Sequence, residues 1–177
     1  GPFATDLYLP SFPAMTEELE ASATGVQLTL TAFLLGMGAG QLVFGPLSDR
    51  YGRFRPLLLG SAGFVVASAV CALAPNLGVL VAGRLIQGLC ASAGVVIARA
   101  MVADLTTGAT SARTFSLLMT IGGVAPVVAP TVGGLLAEQL GWRGVLWVLA
   151  GLALVMFMCV AGVLAESQPQ AHRSSGP

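Results

Sequence analysis

GPLSDRYGRFRP, residues Gly45 to Pro56, lies between two long apolar runs and gathers Asp49, Arg50, Arg53 and Arg55 within seven positions of a chain that is only 9% charged. Arginine and aspartate are costly to leave in hydrocarbon, so this stretch is expected to be a loop at a membrane surface. Its arginine excess predicts the cytoplasmic surface, where short loops rich in Lys or Arg stay, and that sets the direction of every other span. Gly45 is expected to let another backbone approach the end of the preceding helix, Gly52 to take a positive φ in the turn, and Pro56 to suit the first turn of the next helix. A plain basic hairpin needs no particular order of residues. The ordered glycine, aspartate and arginine spacing therefore predicts a specific role for Gly45, Asp49, Arg50, Gly52 and Arg53.

Composition sets the class. With 55% hydrophobic residues and 23 glycines among 177 residues and a mean hydropathy of +0.86, the chain is expected in a bilayer as a polytopic membrane protein. All eight basic residues are Arg, which excludes a phosphate-binding loop of the Walker type and with it ATP hydrolysis. The zero net charge and the lack of a basic stripe with interleaved aromatics argue against nucleic acid as a partner. Cys71, Cys90 and Cys159 fall singly in apolar runs without metal-ligand spacing and read as small core residues. His172 is the lone histidine. An HExxH site is thereby impossible, no GxSxG string occurs, and the chain does not read as an enzyme.

From the N-terminus, residues 1–13 read as the second half of a helix whose beginning is missing. Met15 to Ala23 read as an acidic connection with Glu17, Glu18 and Glu20. Spans are then expected near 26–47, 57–74, 77–103, 115–137 and 145–164, each long enough to cross about 30 Å of hydrocarbon. Gly36, Gly38 and Gly40 are expected to form a packing face on the second span. Pro75-Asn76 marks a turn, Asp104 to Arg113 a polar connection, and EQLGWRG the last turn, where Trp142 and Trp147 suit an interfacial aromatic belt. Residues 1–165 form the helix bundle; 166–177 read as a disordered polar tail or the start of a central cytoplasmic loop. Arg50, Arg53, Arg55, Arg99, Arg113 and Arg173 fall at one face, while Arg143 falls at the other with the acidic cluster, so both ends of this six-helix unit are expected in the cytoplasm. The architecture is all-α, and the spans are compatible with three plus three inverted repeats.

Four places carry candidate chemistry. Arg84, in RLIQG, lies some two turns inside the fourth span, where a guanidinium needs a partner or a wet cavity; the alternative is an interfacial arginine that snorkels, and Gln87 on the next turn argues against it. Asp6, in TDLYLP, is the sole acid of the first span and suits a group that loads and releases a proton, although on the residues alone a loop residue or helix cap is the stronger reading. In GGVAPVVAPTVGG, Gly122, Gly123, Pro126, Pro130, Gly133 and Gly134 predict a bent, closely packed helix with either a conformational or a purely structural role. Asp104 is placed to pair with Arg53, a solvated face being the equal alternative.

These strings resemble a known family. GPLSDRYGRFRP resembles the loop signature of the major facilitator superfamily, RLIQG its fourth-helix signature, and APVVAP with its paired glycines its fifth-helix antiporter signature. TDLYLP and APVVAP look most like the Bcr/CflA drug-resistance branch. Phe54 departs from the loop signature at a position that is often basic. The resemblance implies the amino-terminal six-helix half of a twelve-helix transporter in a bacterial cytoplasmic membrane. It further implies the lipid bilayer, a drug-like amphipathic substrate and a missing carboxy-terminal half as partners, and no cofactor beyond the proton as coupling ion. On that basis Asp6 and Arg84 would serve proton coupling, Asp49 would contact the second half, Arg53 and Asp104 would form a charge relay, and Tyr8 and Gln87 would line the substrate cavity. A transporter of a small metabolite and a non-transporting six-helix module are the alternatives.

Overall fold

A computed structural model describes residues 2–163. Its helices are α1 (Pro2–Asp6), α2 (Phe12–Glu18), α3 (Ala23–Tyr51), α4 (Phe54–Ala72), α5 (Leu77–Leu105) and α6 (Gly108–Val163), with a 3-10 turn at Leu9–Ser11. Short polar residues begin two of the long helices. Ser22 accepts a hydrogen bond from the Gly25 N–H at 3.0 Å and Asn76 one from the Val79 N–H at 3.0 Å, satisfying donors that a first helical turn leaves free. Gly52, at φ 87°, ends α3 as a positive-φ residue, and Pro56 falls in the first turn of α4. The charged turn is thus only Gly52 and Arg53.

Several boundaries differ from the sequence expectation. The first span is interrupted. Pro10 lacks an N–H and its ring would clash with the Asp6 carbonyl, so α1 stops at Asp6 and the chain restarts at Phe12 as α2, which runs on to Glu18 through the first part of the stretch expected to be an acidic connection. The polar connection expected over 104–113 shrinks to Thr106 and Thr107, because polarity alone does not break a helix. The last turn narrows to Gly141, whose φ of 67° and ψ of 176° divide α6 into two arms. The helix expected to bend at Pro126 and Pro130 is continuous there: helical dihedrals run through both prolines, and Gly141 is where they depart. Neighbouring groups in a membrane bundle tolerate the lost ladder bonds.

Small residues let the helices close up. A Cβ on Gly36 would overlap the Leu85 carbonyl, and one on Gly88 the Phe33 carbonyl, so α3 and α5 meet backbone to backbone. Gly40 faces Ser92 on the same seam, whereas Gly38 meets nothing. The packing face is therefore Gly36 and Gly40, because residues four apart share a helix face and the residue between them points away. Gly45, expected to admit a neighbouring backbone, also has open space around its Cα. Gly36→Ala should destabilise the purified protein by about 1–3 kcal/mol through overpacking, while Gly38→Ala should be neutral or slightly stabilising. Thermal unfolding in detergent checks this; equal effects at the two positions would remove the seam from the account.

One apolar cluster joins Leu7, Tyr8, Phe33, Leu80, Trp142 and Leu146, and a smaller one joins Phe44, Leu57, Ala93, Ile97 and Val160. Outside them, Leu42 is 80% and Val127 74% exposed, so the apolar surface faces outward and a bilayer is its natural solvent. The helices α3, α4, α5 and α6 are each long and apolar enough to cross a membrane. The chain is a multi-pass membrane protein.

Candidate functional site

Arg84 is 0% exposed, two turns inside α5. Its Nη1–H donates to Gln87 Oε1 at 2.6 Å and its Nη2–H to the Ala4 carbonyl at 2.9 Å. The guanidinium carbon lies 3.9 Å from the Tyr8 ring centroid and 4.8 Å from that of Phe33. Gln87 in turn donates to Ser68 Oγ at 2.7 Å, and the Ser68 hydroxyl donates to the Phe64 carbonyl at 2.7 Å. The Tyr8 hydroxyl shares a 3.0 Å hydrogen bond with Thr29, whose hydroxyl donates to the Val26 carbonyl at 2.6 Å. One cation thereby ties α1, α3, α4 and α5 together.

The energetics follow from where the acceptors come from. A helix leaves its last carbonyls without intrahelical partners, and Ala4 is in the final turn of α1, so Arg84 satisfies a group that would otherwise be unpaired. An arginine at the bilayer centre costs about 2.5–3.5 kcal/mol on insertion scales. Two hydrogen bonds from the ionised group offset this at about 1.5–3 kcal/mol each, and the aromatic faces add attraction when desolvated. Among the described residues no ion pair or hydrogen bond joins Asp6 to Arg84. Asp6 is half-buried at the end of α1. The Nε of Arg84 has no partner among the described residues. The cage is therefore a buried positive charge held by neutral groups and open in its charge balance.

A second constellation closes the end of the bundle that carries the charged turn. Arg53, 8% exposed, donates through Nε to Asp104 Oδ2 at 2.9 Å and through Nη1 to Asp49 Oδ1 at 2.5 Å and Ser48 Oγ at 2.7 Å. Burial alone would lower the Arg53 pKa, but the hydrogen bonds and charges of Asp104 and Asp49 outweigh it and hold the guanidinium above its ordinary value. Arg50 stands apart, its guanidinium carbon 5.4 Å from the Tyr51 ring centroid. At the opposite end Glu18 receives the Trp142 indole N–H at 2.6 Å and a guanidinium N–H of Arg143. Arg143 also donates to the Ala74 carbonyl at 3.2 Å and stacks 4.1 Å from the Trp142 ring centroid. Charge clusters thus pin both ends of the bundle, and one buried cation pins its middle.

The Major Facilitator Superfamily model matches residues 2–177 of this chain. The chain belongs to the major facilitator superfamily. It is 46% identical over 175 residues to the MFS-type transporter YdgK of Bacillus subtilis and 33% identical over 174 residues to the multidrug resistance protein MdtL of Escherichia coli. In both cases the match covers 98% of this chain and 44% of the relative, so the chain spans less than half the length of these proteins. Its fold is also that of the human organic anion transporter MFSD10 (TETRAN), with a TM-score of 0.74 at 23% identity over 99% of this chain and 47% of the other.

Within this major facilitator fold the expected site residues separate into groups. Asp49, Arg53 and Asp104 come together, with Ser48 as an added acceptor. Arg84 and Gln87 come together, but Tyr8 and Gln87, expected at a substrate cavity, are 2% and 0% exposed and serve inside the bundle as partners of Arg84. On α6, a Cβ at Gly133 would overlap the Leu7 carbonyl, and one at Gly134 would lie 4.0 Å from Pro10, whereas Gly122 and Gly123 have nothing beside them. Only one end of that string packs against the first segment. Ala125, Ala129 and Gly133 form its buried stripe, a small-residue spacing of four that was legible beforehand. Trp142, expected in an interfacial belt, is 2% exposed, because its indole N–H is held by Glu18; Trp147 is half exposed. The sequence reading missed Thr29, Phe33, Ser48 and Ser68. Phe33 and Ser68 are ordinary residues of apolar runs and give no local signal. Ser48 lies inside the charged string and was available.

Proposed function

We propose that this chain is the amino-terminal six-helix half of a proton-coupled exporter of small amphipathic compounds, of the Bcr/CflA branch of the superfamily. The observation that carries the reading is the Arg84 cage: a buried guanidinium held by neutral groups, bonded to the last turn of an interrupted first segment whose next acid is Asp6. The name of the MdtL relative supports a drug-like substrate. In this reading Asp6 takes up a proton, the negative charge at the end of α1 is lost, and the pull between α1 and the Arg84 cation changes. The first segment shifts against α5 and couples the proton to opening of a cavity whose second wall is the other half. Arg53 with Asp104 and Asp49 holds the end of the bundle that faces the cytoplasm of a bacterial inner membrane, and Asp49, whose side chain is 56% exposed, meets the other half.

Proteoliposomes of the full-length transporter with an imposed pH gradient test this. The parent should accumulate an amphipathic dye only with the gradient. Asp6→Asn should bind the dye with unchanged affinity and lose gradient-driven accumulation by at least about tenfold. Gradient-driven accumulation by Asp6→Asn at the parental rate would move the proton carrier elsewhere.

A further inference from the structure

One exposed face of α4 ends in a charge. At about 100° per residue, Arg55, Leu59, Val66, Val70 and Leu73 fall within about 60° of one another, and all five are exposed. The opposite face, with Leu57, Gly60, Ala67, Ser68 and Cys71, is buried in the bundle. From Leu73 to Arg55 the stripe runs about 27 Å at about 1.5 Å per residue, close to a hydrocarbon thickness of about 30 Å. With Leu73 at one edge of the hydrocarbon, Arg55 is therefore at the level of the lipid phosphates on the other. Across the turn of Gly52 and Arg53, Arg50 is exposed as well and stacks on the exposed Tyr51 ring, an aromatic of the kind enriched at headgroup level. Neither Arg50 nor Arg55 makes an ion pair among the described residues; Asp49 and Asp104, the acids of this end, both bond Arg53. Exposed arginines by themselves are an ordinary solvated end, and the apolar stripe sets Arg55 apart. On α5, Arg99 is exposed at the same end, but the face below it runs into Ser92 and Gly88, which are buried against α3. The α6 face below Arg113 is interrupted by Thr120.

We propose that Arg55, with Arg50 across the turn, forms a seat for one anionic phospholipid, whose acyl chains lie along the α4 stripe. The planar guanidinium fork of arginine matches the oxygens of a phosphodiester and donates two N–H groups to it at once. The chains supply what a soluble anion lacks, contact with Leu59, Val66 and Val70. A lipid of zero net charge brings its own cation to the phosphate and competes with the arginines for it, so the seat selects lipids of net negative charge. The inference does not rest on the exporter reading; the orientation of the chain decides only which leaflet supplies the lipid.

The test is native mass spectrometry of the full-length transporter released from nanodiscs that contain equal amounts of dioleoyl phosphatidylglycerol and dioleoyl phosphatidylcholine. These lipids share their chains and phosphate and differ in net charge. The parent should retain phosphatidylglycerol in preference. Arg55→Gln should reduce that preference about fivefold, the effect of one arginine at a membrane surface, and Arg50→Gln should reduce it less. Arg55→Lys should lose about twofold, because the ammonium keeps the charge without the fork. Arg99→Gln removes the same charge from the same end and should leave the preference unchanged. An excess of soluble glycerol 3-phosphate should not displace the lipid. Equal retention of the two lipids by the parent overturns the proposal. So does an equal loss in Arg99→Gln and Arg55→Gln, which would show that only the general field of the basic end acts, and so does displacement by glycerol 3-phosphate, which would show that the stripe adds nothing. Substitution of an exposed arginine should leave the unfolding temperature unchanged, so a lost preference in Arg55→Gln is not a loss of fold.

Discussion

Arg84→Ala should reduce gradient-driven transport by the full-length protein to the level of empty liposomes, and it should also destabilise the fold. The substitution leaves the Ala4 carbonyl and the Gln87 amide oxygen without their donor, at about 1–3 kcal/mol for each buried unsatisfied group. It also removes the cation that Tyr8 and Phe33 pack against. Because stability and transport fall together in this variant, the informative companion is Arg84→Lys. Lysine keeps the charge, but a point-charge ammonium does not reproduce the planar fork that reaches Gln87 and Ala4 at once while stacking on Tyr8. Arg84→Lys should therefore recover part of the lost thermal stability and less than about a tenth of the transport rate. Dye uptake and thermal unfolding measured on the same preparations decide it. Parental transport by Arg84→Lys would mean that charge alone matters and that the directed contacts to the first segment do not.

The second large effect is expected at Gly133. Here the Leu7 carbonyl occupies the place a side chain would need, so Gly133→Ala forces the first segment away from α6. Overpacking of this kind costs about 1–3 kcal/mol, and the displacement falls on the segment that carries Ala4 and Tyr8 to Arg84. Transport should be lost with it. Gly123→Ala, in the same string but beside open space, should leave stability and dye uptake within error of the parent. Equal losses at Gly123 and Gly133 would show that the string acts through helix flexibility rather than through this one contact.

Much was settled by sequence alone. Four charges within seven positions of a chain 55% hydrophobic pointed to a membrane protein with a surface turn inside the string Gly45 to Pro56, since no other placement keeps those arginines out of hydrocarbon; that the turn is only Gly52 and Arg53 came from the structure. The order of three signature strings pointed to the superfamily that the matched family model then showed. The approximate positions of the long helices were legible because a membrane span must be long and apolar whatever it packs against. What the sequence left open was which groups meet. Asp6 and Arg84 are the natural pair on charge, yet the arginine bonds the carbonyl of Ala4, because the broken end of α1 presents an unpaired acceptor there. Trp142 suits an aromatic belt by composition, yet it is buried by its bond to Glu18, 124 positions away in the chain. Gly38 and Gly45 look like packing glycines beside Gly36 and Gly40, yet only the latter two meet α5. Partition between water and lipid depends on the composition of each segment and can be read locally. Hydrogen bonds and backbone contacts between helices depend on rotation and register, which are fixed only when all the helices pack together.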